Sequence, residues 1–184
     1  MGRILIGLAL IFASLDMIRS ATEPMIGNPG TQVVMGYLGR DLFSAFIIGA
    51  VFAWSVHSSV AAVLLFVTLS GQGILPVPAS AAMILGANLG GAFIAFVLTL
   101  AAPIASRRMI MANLVLRGRG AILATLLIAT TPSLLEYLGS SPARQSINLH
   151  LAFNLMLALP GLLIVGSTTA VLQRLMQEPV AKEH

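Results

Sequence analysis

The chain has 184 residues, of which 58% are apolar and only 9% charged. A soluble domain carries about 25% charged residues, so this composition describes an integral membrane protein and excludes a soluble enzyme or binding module. The net charge of +4 is scattered over the chain and reads as an orientation signal, not as a nucleic-acid footprint. There is no cysteine, which removes disulfides, thiolate chemistry and cysteine-ligated metal from consideration.

The first predicted span covers about residues 3–22, with Arg3 ahead of it and Glu23-Pro24 ending it. Asp16 and Arg19, three residues apart on one helix face, are expected to pair locally. Asn28-Pro29-Gly30 is turn chemistry. Thr31 to Leu38 reads as a short amphipathic piece along the interface. Gly39-Arg40-Asp41 follows, with Asp41 placed as a helix N-cap.

From Leu42 to Leu69 there are 28 nearly uncharged residues, with His57, Ser58 and Ser59 near the middle. A straight helix of that length would measure about 42 Å against a hydrocarbon core of about 30 Å. Two full crossings would need roughly 40 residues. The stretch is too long for one span and too short for two, which predicts a re-entrant hairpin over about 41–70 with a polar serine tip inside the membrane. Backbone at that depth is tolerated only where it is buried in protein or lines a wet cavity.

Pro76 and Pro78 open the next helix, expected over about 77–105. Gly86, Gly90 and Gly91 crowd its centre around Asn88. Two readings fit. The glycines could break the helix in mid-membrane, or Gly86 and Gly90 could serve close small-xxx-small packing. With a break, the exposed N–H ends would attract an anion and the C=O ends a cation.

Arg107, Arg108, Arg117 and Arg119 are expected to frame a cytoplasmic loop holding an amphipathic run, Met109 to Leu116. Ala121 to Leu138 is predicted as a span kinked at Pro132, and Ile147 to Leu172 as the last span, bent at Pro160-Gly161. Counting basic residues gives four crossings and one hairpin, with both termini in the cytoplasm. The expected architecture is therefore a single all-α transmembrane domain over 1–184, with four transmembrane helices, a re-entrant hairpin and a broken helix.

Two breaks with no metal-ligand cluster and no acid/base pair point to solute and ion binding. Discontinuous helices meeting near the midplane are a recurring device of secondary transporters. An intramembrane hydrolase is disfavoured: His57 and Ser58 are adjacent and do not face each other on one helix, and no third group orients the base. His57 could couple to protons, or stand neutral and hydrogen-bonded within the hairpin. His150 and Asn154, four residues apart, read as hydrogen-bonding glue between helices. Trp54 near the tip reads as packing.

The motifs H-S-S-V-A-A at residues 57–62 and G-A-N-L-G-G at 86–91 resemble those of the sodium/phosphate cotransporter family. That family pairs a Q-S-S-S-A-type motif with a G-A-N-I-G-T-type motif in each of two inverted repeats. A-S-R-R-M-I-M-A-N-L-V-L and H-L-A-F-N-L-M, the latter with His150, Phe153 and Asn154, resemble two further segments. The similarity runs over nearly the whole chain and is greatest to the second repeat of the short bacterial members.

The resemblance implies one inverted-repeat unit of a secondary transporter in the bacterial inner membrane, carrying inorganic phosphate with Na+ as coupling ion and needing no other cofactor. It implies substrate and ion contacts at His57, Ser58, Ser59, Gly86, Ala87, Asn88 and Gly90, with Ser58, Ser59 and Asn88 offering oxygen to sodium. His57 in place of Gln, Val60 in place of Ser and Gly91 in place of Thr depart from the family pattern. The chain has room for one repeat, so its expected partner is a second repeat or another copy. The alternative is a truncated repeat that serves assembly or regulation without transport.

Overall fold

The structure, a computed structural model, describes residues 2–175, and side chains as far as Leu159. Its regular elements are α1 (Gly2–Thr22), α2 (Pro29–Arg40), α3 (Leu42–Ser55), α4 (Ser59–Gly71), α5 (Val77–Leu98), α6 (Ile104–Thr130) and α7 (Pro142–Leu175). Short 3-10 turns lie at Glu23–Met25 and Pro132–Leu138.

Local chemistry sets most of these boundaries. The Asn28 side chain accepts from the Thr31 N–H to start α2, the Asp41 carboxylate from Ser44 N–H to start α3, and the Ser58 hydroxyl from Ala61 N–H to start α4. Each satisfies an N–H that a helix start leaves without an internal partner. Proline at the first or second position begins α2 and α5 where its missing N–H does no harm. The Ser44 hydroxyl, the Ser44 N–H and the Tyr37 hydroxyl all donate to Asp41 and hold its carboxyl below the ordinary value at the mouth of the hairpin.

α3 and α5 pack backbone against backbone. A Cβ on Gly86 would sit 1.9 Å from the Phe46 carbonyl oxygen, and one on Gly90 would sit 2.3 Å from that of Ala50. From the other side, a Cβ on Gly49 would meet the Met83 carbonyl oxygen at 2.1 Å. Phe46 thus lies beside Gly86 and Ala50 beside Gly90, so the two helices run in the same direction. α4 returns the opposite way: the Phe66 carbonyl accepts from Ser80, and Ser59 abuts Gly91. The tip therefore stops at the level of Gly91, about 21 Å along a helix of about 33 Å. Ser80 also exchanges a hydrogen bond of 2.9 Å with Ser146, which ties α7 to the same wall. α2 meets α3 at a bend of 107°.

Among the described residues, three helices are long and apolar enough to cross a membrane: Gly2–Met25, Val77–Leu98 and Ile104–Thr130. The expected fourth crossing falls on α7. It is helical through Pro160 and Gly161, but its side chains beyond Leu159 lie outside the described residues, as does the tail from residue 176. α1 is held at one end, where Thr22 donates to the Gln72 side chain at 2.8 Å and Gln72 donates to the Arg19 carbonyl at 3.2 Å. Elsewhere it exposes Ile4, Leu5 and Phe12. The expected Asp16–Arg19 pair does not form.

Three expectations need correction. α5 is not broken around Asn88 but runs unbroken from Val77 to Leu98. Its glycines serve close packing on α3, and that contact offsets their poor helix propensity. The four arginines do not frame a loop, because α6 is one helix of 27 residues. No proline interrupts it, and Gly118 and Gly120 face Leu89 and Leu157. At Pro132 the chain does not kink within a span. α6 ends at Thr130 and a 3-10 turn begins, since the proline ring lacks an N–H and crowds the preceding turn.

A methyl group at the α3–α5 contact should therefore be costly. Gly86→Ala must separate two helices and should lower stability by about 1–3 kcal/mol or more. Gly36→Ala, with open space around it, should not. Thermal unfolding of both variants in detergent checks this.

Candidate substrate site

The hairpin tip is built by a helix end and a helix start. Val56 N–H donates to Phe52, His57 N–H to Trp54 and Ser58 N–H to Ala53. These are the bonds of a Schellman cap, whose turning residue takes a left-handed conformation and is usually glycine. Here it is His57, with φ of 53°. Its ring nitrogen Nδ1 lies 3.1 Å from the Ser55 carbonyl oxygen. His57 is exposed and stays local to the turn.

Ser58, in extended backbone, caps α4. Ser59 begins the helix, and its hydroxyl is set against Gly91; a Cβ there would come within 2.9 Å of it. A residue larger than glycine at position 91 would require the Ser59 side chain to shift. Ser59 and Val60 carry the first N–H groups of α4, which a helix start leaves free to bind an anion. Trp54 packs on Phe93 with ring centroids 6.3 Å apart, as a packing residue would.

One turn along α5 from Gly91 lies Asn88, 2% exposed and joined to both α6 and α7. Its Nδ2 donates to the Ile84 carbonyl at 2.9 Å and lies 3.3 Å from His150 Nδ1. Its Oδ1 accepts from Arg117 at 3.2 Å and from Asn154 Nδ2 at 3.3 Å. Asn154 in turn donates to the His150 carbonyl at 2.8 Å. His150 and Asn154 do form the expected glue, and Asn88 is its centre. The Arg117 guanidinium also donates to Asn113 Oδ1 at 3.3 Å. Both described partners of Arg117 are therefore neutral amides, and its charge stands beside the middle of α5 without a carboxylate bonded to it.

The sequence-predicted residues separate into two groups. Ser59 abuts Gly91, one turn along α5 from Asn88, and Ser58 caps the start of α4. Gly86 and Gly90 face α3, Ala87 is fully buried, and His57 remains at the turn. Arg117 was missed because its neighbours suggested a loop. The signal that could have found it is the unbroken run without proline from Ile104 to Thr130, with Asn113 and Arg117 four apart. The donors gathered on the Asn88 oxygen, the Arg117 guanidinium above all, are groups that can bind an anion. The serine hydroxyls and the Asn88 amide oxygen can face a cation.

The chain matches the Na+/Pi-cotransporter family over residues 14–177. It is 33% identical over 156 residues to YjbB of Salmonella typhimurium and of Escherichia coli K12, both named for inorganic phosphate export. Those matches take in 85% of this chain and 29% of each relative. YqeW of Bacillus subtilis, named only as an uncharacterized protein, is 23% identical over 159 residues, covering 86% of this chain and 52% of that protein. The chain thus spans under a third of the length of the YjbB proteins it matches. No solved structure matches it.

Two substitutions probe the geometry. Asn88→Ala leaves Asn154, Arg117 and His150 without their shared partner and should cost about 1–3 kcal/mol. His57→Gly relieves a left-handed residue and should be neutral or stabilising by up to about 1 kcal/mol. Unfolding midpoints of the purified protein test both.

Proposed function

Given that this chain belongs to the Na+/Pi-cotransporter family, we propose that it is one repeat of a carrier that moves inorganic phosphate, coupled to Na+, across the bacterial inner membrane. The single observation that carries this reading is Arg117, a guanidinium bonded to Asn88 at the middle of α5. An ionisable group within a span is a marker of a substrate or ion path.

In this reading phosphate lies between the N-terminus of α4 and Arg117. The Ser59 and Val60 N–H groups and the Ser58 and Ser59 hydroxyls donate from one side, and the guanidinium donates from the other. Arg pairs with a phosphate through two parallel N–H···O bonds, stronger than those to a neutral amide. Phosphate would therefore draw Arg117 off Asn88 Oδ1. That oxygen, with the serine hydroxyls, is then free to face Na+. Phosphate carries more than one negative charge near neutral pH, and placing it alone at low dielectric is expensive. Arg117 and a bound Na+ together offset that charge, which gives a physical reason for coupling. Gly86, Ala87 and Gly90 act by holding α3, and through it the tip, at this level.

Both termini lie in the cytoplasm in this proposal, and a second repeat or another copy completes the carrier. Support comes from Ser59 abutting α5 one turn from Asn88, from the family, and from YjbB being named for phosphate export. The chain's short share of YjbB keeps open a second reading, a truncated repeat that assembles without transporting.

The test is labelled-phosphate flux in proteoliposomes, in both directions, with and without a Na+ gradient. It is run for the chain alone and with a separately expressed first repeat. The expected result is Na+-dependent flux in at least one preparation. Arg117→Gln should reduce it about 10–100-fold, the loss of one charged hydrogen bond, and Ser58→Ala with Ser59→Ala should abolish it. No flux from folded protein in either preparation supports the non-transporting repeat.

A further inference from the structure

Two residues beyond Arg117, the outer face of α6 carries a second charge that lipid cannot hold. Arg119 is exposed and makes no hydrogen bond or ion pair with the described residues. It follows Gly118, which packs on Leu89, and Leu89 is near the middle of α5 (Val77–Leu98). The nearer end of α5 is about 14 Å away. A side chain at that depth does not reach the headgroups, and an arginine inside a span faces protein or water.

Ile122, one turn beyond Arg119 on α6, lines an apolar groove of about 540 Å³ between α3 and α6. Phe43, Phe46 and Ile47 form one wall, Ile122 and Leu126 the other, with Leu89 beneath. Val115, Arg119, Ile122 and Leu126 follow helical spacing and form one exposed ridge along that side of α6. A lipid tail could fill the groove but would leave Arg119 unpaired. A transmembrane helix carrying a carboxylate would satisfy both features.

We propose that this face of α6 docks a membrane helix of a different unit, one that presents an Asp or Glu to Arg119 at mid-depth. Among the described residues, a second copy offers no carboxylate at this level. The described carboxylates are Asp16, Glu23, Asp41 and Glu136, placed toward the end of the fold that holds the hairpin mouth. Asp16 is the deepest, six residues before Thr22, which is bonded to Gln72 at that end. The inference concerns assembly and holds whichever ion is carried.

The absence of cysteine allows a clean test. Ser140→Cys, on an exposed loop that does not line the groove, takes a fluorescent donor on the full chain in liposomes. The probe is an acceptor-labelled Leu/Ala helix of about 20 residues with Asp, Asn or Leu at its centre. The Asp helix should associate on the order of tenfold more tightly than the Leu helix, and Arg119→Leu should erase that preference. Removing a charge from a span does not threaten folding, and circular dichroism verifies it. Equal association of the three helices overturns the proposal, as does a preference that survives Arg119→Leu. So does self-association of the chain that excludes every helix.

Discussion

The contact on which this structure depends is backbone to backbone, between α3 and α5. Carbonyl oxygens of Phe46, Ala50 and Met83 occupy the space where Cβ atoms of Gly86, Gly90 and Gly49 would stand. In a membrane, helices gain little from hiding apolar surface from water, because lipid tails are equally apolar, and close approach through small residues is what holds them. That approach fixes the depth of the hairpin. With Phe46 beside Gly86 and Ala50 beside Gly90, the chain has only the end of α3 left before it turns, and the turn falls at Gly91.

Placement of the tip then defines the site. Ser59 abuts Gly91, and Asn88 lies one turn back on the neighbouring face, toward α6 and α7. Arg117 and Asn154 converge on the Asn88 oxygen, and His150 lies against its amide nitrogen. Every one of these side chains lies on a helix, so the group is positioned by helix packing and not by a loop. The Asn88 amide is suited to the centre because it accepts and donates at once. A carboxylate there would neutralise Arg117 and remove the charge that an anion needs.

Much of this was legible in the sequence, and what was not has a physical explanation. The hairpin followed from length, since 28 nearly uncharged residues fit neither one crossing nor two. The serine tip and Asn88 followed from polar groups standing where lipid forbids them. The continuity of α5 did not follow, because three glycines around an asparagine look the same whether they break a helix or seat another helix against it. Only the position of α3 decides, and that is a tertiary fact. Arg117 was hidden for a related reason. Four arginines within 13 residues imply solvent by composition, but Gly118 and Gly120 let α6 lie close to α5 and α7, and that carries Arg117 inside. His150 and Asn154 were read correctly as a pair, although their shared partner could not be named from spacing alone.

Phosphate held between the N-terminus of α4 and Arg117 is the proposed arrangement most open to direct test. Solid-state NMR measures it most directly, as dipolar coupling between phosphate phosphorus and selectively labelled nitrogen in the lipid-embedded carrier with Na+ present. Coupling is expected to both the Arg117 guanidinium and the Ser59 backbone amide. Coupling to neither, with phosphate in contact only with Arg107 or Arg108, would contradict it.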